Sequence, residues 1–440
     1  MKEAFLAAYS CLDAVFRKKA FSGIELNNAL KCCSEKNRAV VTKLFYGTLE
    51  LALKYDYILS LYAKTVKPSV ATALKMGLYA FEALNLPQAA AVNETVALIK
   101  NLGKGGAAGF ANAVMRRATD DLKEGKINFG EDELKAAALK NGFPQWAALR
   151  LENDFGRETA LKFVSYRQDE AWGHVRYNPF RIELRDFESL LSDRQISFRQ
   201  GPFKGGYFVK GRLDCVPQDL FTFQSPGSLA GCFVRPAARL CRGEYTPHFL
   251  FETSKRKCAA PGGKSVLAAQ LSPQAEIVAC DIHPHRTDFI EKYAARMGVK
   301  NIKVFLNDAT VFNREFEDAF DCVLCDAPCS GFGVLSSKPD IKLFRKESDV
   351  EELAALQSKI LSVAARYVKR GGSLVYSTCT VFKRENDDVV NGFLLENKNF
   401  AAEKIDLPVD TACGMEKFAR FFPFRDGFDG FFIARLKRLV

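Results

Sequence analysis

Four short runs in the C-terminal half, 276–280, 303–306, 321–325 and 373–376, alternate with segments of helical period. Runs of this length are too short for helices, and their spacing leaves room for a crossover helix between each pair. Such a chain is predicted to form a parallel sheet with helices on its faces. Ligands then bind in the crevice beyond the carboxyl ends of the strands. The residues that close each run are therefore the first candidates for chemistry.

The first run ends at Asp281, and an acid at the tip of a second strand can grip the two hydroxyls of a ribose. Upstream, Cys258-Ala259-Ala260-Pro261-Gly262-Gly263-Lys264-Ser265 opens a helical segment, and its small residues let the backbone approach a ligand closely. A phosphate-binding loop would need glycine where Cys258 stands, so that reading fails. The pair fits a nicotinamide cofactor and S-adenosylmethionine equally. The second run ends at Asp308, within reach of an adenine amino group. The third gives Asp326-Ala327-Pro328-Cys329-Ser330-Gly331, a carboxylate and a thiol in one loop. The last leads into Thr378-Cys379-Thr380, bringing a second thiol to the same edge. Two thiols, an acid and a cofactor pocket point to covalent catalysis on an electrophilic ring. Cys322 and Cys325 stand three apart in a strand, hence on opposite faces, and with four His in 440 residues no metal site is expected.

Residues 1 to about 140 carry apolar positions three and four apart, broken at Lys67-Pro68, Leu86-Pro87 and Gly103-Lys104-Gly105-Gly106, which predicts five to seven helices. Between 141 and 220, β-prone pieces flank one amphipathic helix near 187–191, as in a small α+β module. Thirteen Cys with no signal-peptide core and no run of about 18 apolar residues point to reduced thiols in a cytoplasmic protein without a membrane span. The net charge is +11, and residues 1–130 hold 18 basic against 11 acidic side chains. That excess favours a polyanionic partner bound with salt sensitivity.

These blocks, in this order, resemble the RNA 5-methylcytosine methyltransferases of the NOL1/NOP2/Sun family. Lys338-Pro339-Asp340-Ile341-Lys342, Glu385-Asn386 and Asp429-Gly430-Phe431-Phe432 match it too. The N-terminal stretches Arg38-Ala39, Tyr46-Gly47-Thr48-Leu49, Ala91-Val92-Asn93-Glu94-Thr95 and 106–117 resemble a NusB-like RNA-binding domain, a fusion typical of bacterial enzymes acting on 16S rRNA. The resemblance implies an all-α NusB-like domain over 1–140, an α+β linker module over 141–220 and a Rossmann-like methyltransferase domain over 221–440. It implies methylation of cytosine C5 in 16S rRNA, at position 967, with S-adenosylmethionine as cofactor; the sequence leaves the oligomeric state open, with a monomer the default expectation. Cys379 would be the nucleophile, Cys329 would release the methylated adduct, and Asp326 would lie beside cofactor and cytosine. Residues 258–264, Asp281 and Asp308 would hold the cofactor, and Arg38, Arg116, Arg117 and Lys342 would contact RNA. A tRNA substrate, or a binding factor with an impaired pocket, are the competing readings.

One stretch departs from the pattern. An apolar strand ending in an acid should lead into Cys258, yet Ser254-Lys255-Arg256-Lys257 stands there. Residues 230–257 carry six basic and two acidic side chains. Three consecutive cations in a buried strand are costly. Either a compensated pair of frameshifts has replaced the native segment, or an insertion leaves Phe249-Leu250-Phe251 to serve as the strand.

Overall fold

The computed structural model describes residues 2–167, 172–233, 248–253, 262–405, 407 and 417–439; of 231–233 and 248–253 it describes the backbone. The chain divides into two compact units, 1–166 with 335–345, and 167–334 with 346–440.

The first unit is helical. Its helices are α1 Lys2–Lys18, α2 Ser22–Cys32, α3 Glu35–Glu50, α4 Ala52–Ser60, α5 Pro68–Glu82, α6 Gln88–Asn101, α7 Ala108–Lys123, α8 Glu133–Lys140, α9 Gln145–Phe155 and α10 Arg157–Ser165. In α3, Val41, Leu44, Phe45 and Thr48 fall at i, i+3, i+4 and i+7, and all four are buried. Proline starts α5, where its fixed φ suits the first turn, and Asp132 caps α8 by accepting from the Lys135 N–H at 2.9 Å. Eight helices fall within the first 140 residues rather than five to seven. Near the expected boundary at 140, Gly142 makes a tight turn: its φ is +58°, and a Cβ there would lie 2.4 Å from the Glu50 carbonyl oxygen. The helical unit therefore continues to 166 instead of ending near 140.

Residues 335–345 belong to this unit. Asp340 accepts from Ser22 Oγ at 2.8 Å, and Leu343 and Phe344 pack against the helical core. Lys342 is buried, its ammonium donating to the carbonyls of Glu50 at 2.9 Å and Asn141 at 3.5 Å. That corrects its expected role, because an ammonium engaged in this way is not displayed to a phosphate.

The second unit holds two sheets. The smaller comprises β1 Gly173–Tyr177, β2 Ser197–Gln200, β3 Gly206–Lys210 and β4 Phe221–Phe223, antiparallel in the order β2-β3-β1-β4. The helix at 184–193 buries Phe187 and Leu191 against Val175, Tyr207, Val209 and Phe221 of that sheet.

The larger sheet comprises β5 His248–Thr253, β6 Glu276–Asp281, β7 Ile302–Leu306, β8 Phe320–Asp326, β9 Val368–Thr378, β10 Phe400–Glu403, β11 Phe418–Phe421 and β12 Phe431–Arg438. The order is β10-β12-β9-β8-β5-β6-β7, with β11 beside β12, and the five strands from β9 to β7 are parallel. Strand order reverses at β5, the central strand. A crevice opens at the carboxyl ends on either side of such a reversal. The centre of the sheet is filled by His248–Thr253, hydrogen-bonded to β6 and β8 along its length. Phe249-Leu250-Phe251 thus supplies the strand, as β-branched and aromatic segments favour, while the cationic residues 254–257 lie outside the described residues. Cys322 and Cys325 point into separate cores on the two faces of β8, and no group of three or more metal-ligating side chains occurs among the described residues. No described helix is long and apolar enough to cross a membrane.

Candidate active site

Strands β8 and β9 leave the sheet side by side, Asp326 opposite Ser377. The loops that follow stay joined. The Ala327 N–H donates to the Ser377 carbonyl at 3.0 Å, the Gly333 N–H to that of Cys379 at 2.9 Å, and the Gly430 N–H to that of Gly333 at 2.7 Å. Only glycine fits at 333, where a Cβ would lie 2.0 Å from the Gly430 oxygen. This lacing brings Cys329 and Cys379 together, with their Sγ atoms 3.2 Å apart. Cys329 is wholly buried and Cys379 half-buried, so the latter is the thiol open to a substrate.

Asp326 closes β8 beside them. It is ion-paired with Lys264 and accepts from Ser377 Oγ at 3.1 Å. The Lys264 ammonium also lies 4.8 Å from the centre of the Phe431 ring. Behind β9, Tyr376 is fully buried and donates to the Glu385 carbonyl at 2.6 Å. Burial, reinforced by the neighbouring Cys325 and Glu385, pushes its phenol well above the ordinary range, so it remains a neutral donor.

Across the reversal point, the acids at the ends of β6 and β7 face the same edge. Asp281 is buried; one oxygen accepts from the His283 N–H at 2.9 Å and the other meets Arg286 at 3.3 Å. Asp308 accepts from the Thr310 N–H at 2.9 Å and its hydroxyl at 2.7 Å. Between them, the Asn307 amide nitrogen is buried with no hydrogen-bond partner among the described residues. Gly262, at φ +78°, turns the chain into the helix Gly263–Leu271, and a Cβ there would lie 3.2 Å from Ile290. A glycine-opened helix, acids at three strand ends and a buried unpaired donor fit a ligand with ribose hydroxyls and a purine acceptor. Cys258, Ala259, Ala260 and Pro261, expected to line that pocket, lie outside the described residues.

The structure therefore places Cys329, Cys379, Asp326 and Lys264 in one cluster, and Asp281 and Asp308 along the same sheet edge. Arg38, Arg116 and Arg117 are exposed on α3 and α7, Arg117 against the Tyr62 ring at 5.6 Å. Sequence reasoning assigned no role to Ser330, Gln357, Thr380, Glu385 or Asn386, which form a buried polar network around the two thiols. Ser330 and Thr380 stood inside the two loop motifs and Glu385-Asn386 was a motif without a function, whereas Gln357 carried no signal.

Comparison with known proteins identifies the family. Residues 252–437 match the family described as 16S rRNA methyltransferase RsmB/F, and residues 3–120 match the NusB family. A probable ribosomal RNA small subunit methyltransferase B from Bacillus subtilis (strain 168) is 31% identical over 98% of both chains. The corresponding protein of Xanthomonas campestris pv. campestris is 29% identical over 98% of this chain and 96% of its own. Among solved structures, PH0851 superposes with a TM-score of 0.81 over 100% of this chain and 99% of its own, at 22% identity. NSun6 from Pyrococcus horikoshii, solved with SFG, gives 0.57 over 68% of this chain and 99% of its own, at 22% identity; both likenesses bear on the fold alone. With a helical NusB-type unit, a parallel sheet reversing at its centre and a near-full-length relative above 30% identity, this chain belongs to the RsmB/F family of S-adenosylmethionine-dependent rRNA small subunit methyltransferases.

Proposed function

We propose that the protein methylates C5 of a cytosine in 16S rRNA, the one at position 967, through a covalent bond between Cys379 and C6 of the ring. The observation that carries this reading is the pair of thiols 3.2 Å apart beside Asp326 at the ends of two parallel strands. Cytosine C5 is a weak nucleophile. Addition of the Cys379 thiolate at C6 turns the ring into an enamine whose C5 can attack an electrophile. Bound S-adenosylmethionine supplies that electrophile as a sulfonium methyl group. Asp326 supports a proton at N3 as the enamine forms, and Lys264 holds Asp326 in place. A base in the pocket then takes the C5 proton, the C5–H electron pair forms the C5–C6 double bond, and the C6–S bond breaks with its pair leaving on Cys379 as the thiolate. Cys329, its Sγ 3.2 Å from that of Cys379, assists that step.

Residues 258–264 enclose the methionine end of the cofactor in this reading, Asp281 its ribose and Asp308 its adenine. Arg38, Arg116 and Arg117, exposed on a basic helical unit, meet RNA phosphates. The test is transfer of labelled methyl from S-adenosylmethionine to unmodified 16S rRNA, with the product base mapped. Label at C5 of the cytosine at position 967 is the expected result. Label in tRNA alone favours the competing substrate, and RNA binding without transfer favours an assembly factor.

A further inference from the structure

Glu385 is wholly buried immediately behind the two thiol-bearing loops. One carboxylate oxygen accepts from the Ser330 N–H at 2.7 Å and from Gln357 Nε2 at 3.1 Å. The other accepts from Ser330 Oγ at 2.5 Å. Ser330 follows Cys329 directly, and its hydroxyl lies 2.9 Å from that of Thr380, which follows Cys379 directly. The Gln357 amide reaches further along the first loop, donating to the Pro328 carbonyl at 2.7 Å. Next door, Asn386 accepts from Thr378 Oγ1 at 2.6 Å and donates to the Thr380 carbonyl at 3.1 Å, gripping both sides of Cys379.

We propose that Glu385 is a positioning residue that fixes the Cys329 loop in register with the Cys379 loop, and so sets the separation of the two thiols. No side chain in this group needs to touch substrate. Its effect on rate comes through geometry, to which covalent steps are steep: a misplacement of about 1 Å can cost on the order of a hundredfold. The inference rests on the proposed roles of Cys379 and Cys329 for its link to catalysis, but the register itself stands on the hydrogen bonds alone.

The bonding pattern distinguishes a positioning role from a charge role. In Glu385→Gln, the amide oxygen can keep the Ser330 N–H and Gln357 contacts. The amide N–H2 can donate to Ser330 Oγ, whose proton then turns to Thr380. The bonds that tie residue 385 to Ser330 and Gln357 survive without the charge, and the loss is confined to the proton that Thr380 Oγ1 gives Ser330. In Glu385→Ala those bonds do not survive.

Two measurements on the full chain test this. The first is the rate at which diamide oxidises Cys329 and Cys379 to a disulfide, each thiol losing one proton and one electron as diamide becomes its hydrazine. The second is steady-state methylation of 16S rRNA. For Glu385→Ala the expected result is disulfide formation slowed by roughly tenfold or more. Its kcat should fall by about tenfold to a hundredfold while KM for RNA and cofactor stays within about twofold. Glu385→Gln should retain both rates within about threefold. If Glu385→Ala does not fold, Ser330→Ala, which removes one donor and the link to Thr380, is read in the same way. A folded Glu385→Ala with the parental disulfide rate would overturn the proposal, as would a Glu385→Gln as impaired as Glu385→Ala. Slower disulfide formation with undiminished kcat supports the positioning role and counts instead against the two-thiol mechanism.

Discussion

Cys379 and Cys329 hold their Sγ atoms 3.2 Å apart, yet their variants should fail in different ways. Cys379→Ala removes the atom proposed to bond to C6. Methylation should fall by about a thousandfold or more while RNA binding persists, as filter binding and methyl transfer would show together. Cys329→Ala leaves addition possible and impairs release, so a protein–RNA adduct stable to denaturing gels is expected. In the smaller sheet, His174 on β1 offers a test of electrostatics. Burial, with the Arg199 charge adding to it, lowers its pKa from the ordinary 6.5 to about 4. The unfolded chain therefore takes up a proton that the folded chain refuses between those values. Stability is intact above about pH 6.5 and declines as pH falls towards 4. Melting curves across that window should flatten in His174→Phe relative to the parent.

At the level of elements, the alternation of short strands and helices is legible in the sequence because each run of β6 to β9 is short and ends in, or leads directly into, a polar residue. The acids and thiols at those ends therefore fall to one crevice on the pattern alone. Two features cannot be read that way. Glu385 and Asn386 lie on a short helical turn, and nothing in their local pattern says that both thiol loops lean on them; that follows only from the pairing of β8 with β9. The central strand is obscured because the cations at 254–257 disrupt the expected run, whereas the parallel pairing of 248–253 depends on neighbours about 30 and 75 residues away. Gly333 marks how closely these elements meet. A Cβ there would also lie 2.8 Å from the Cys379 carbonyl oxygen. Gly333→Ala should lower stability by about 2 kcal/mol or more and abolish rapid diamide cross-linking of the two thiols, as denaturant melts and peptide mapping would report.

Across the whole molecule, the charge excess of residues 1–130 is readable by counting, but not which cations face solvent. Lys342 lies in a stretch of sequence next to the catalytic loop, yet it folds with the helical unit and satisfies buried carbonyls. Lys342→Met should cost about 1–3 kcal/mol of stability and leave the salt dependence of RNA binding unchanged. Arg116→Ala combined with Arg117→Ala should instead reduce the slope of log K against log salt by about 1 to 2, with little effect on melting. The most direct test of the account uses 16S rRNA carrying 5-fluorocytidine at position 967. After methyl transfer the fluorine at C5 cannot leave as a proton would, so the enzyme stays bound. Incubation with S-adenosylmethionine, digestion and mass spectrometry should place the RNA on Cys379, with no adduct in Cys379→Ala. An adduct on Cys329, or methylation of normal rRNA by Cys379→Ala at the parental rate, would contradict it.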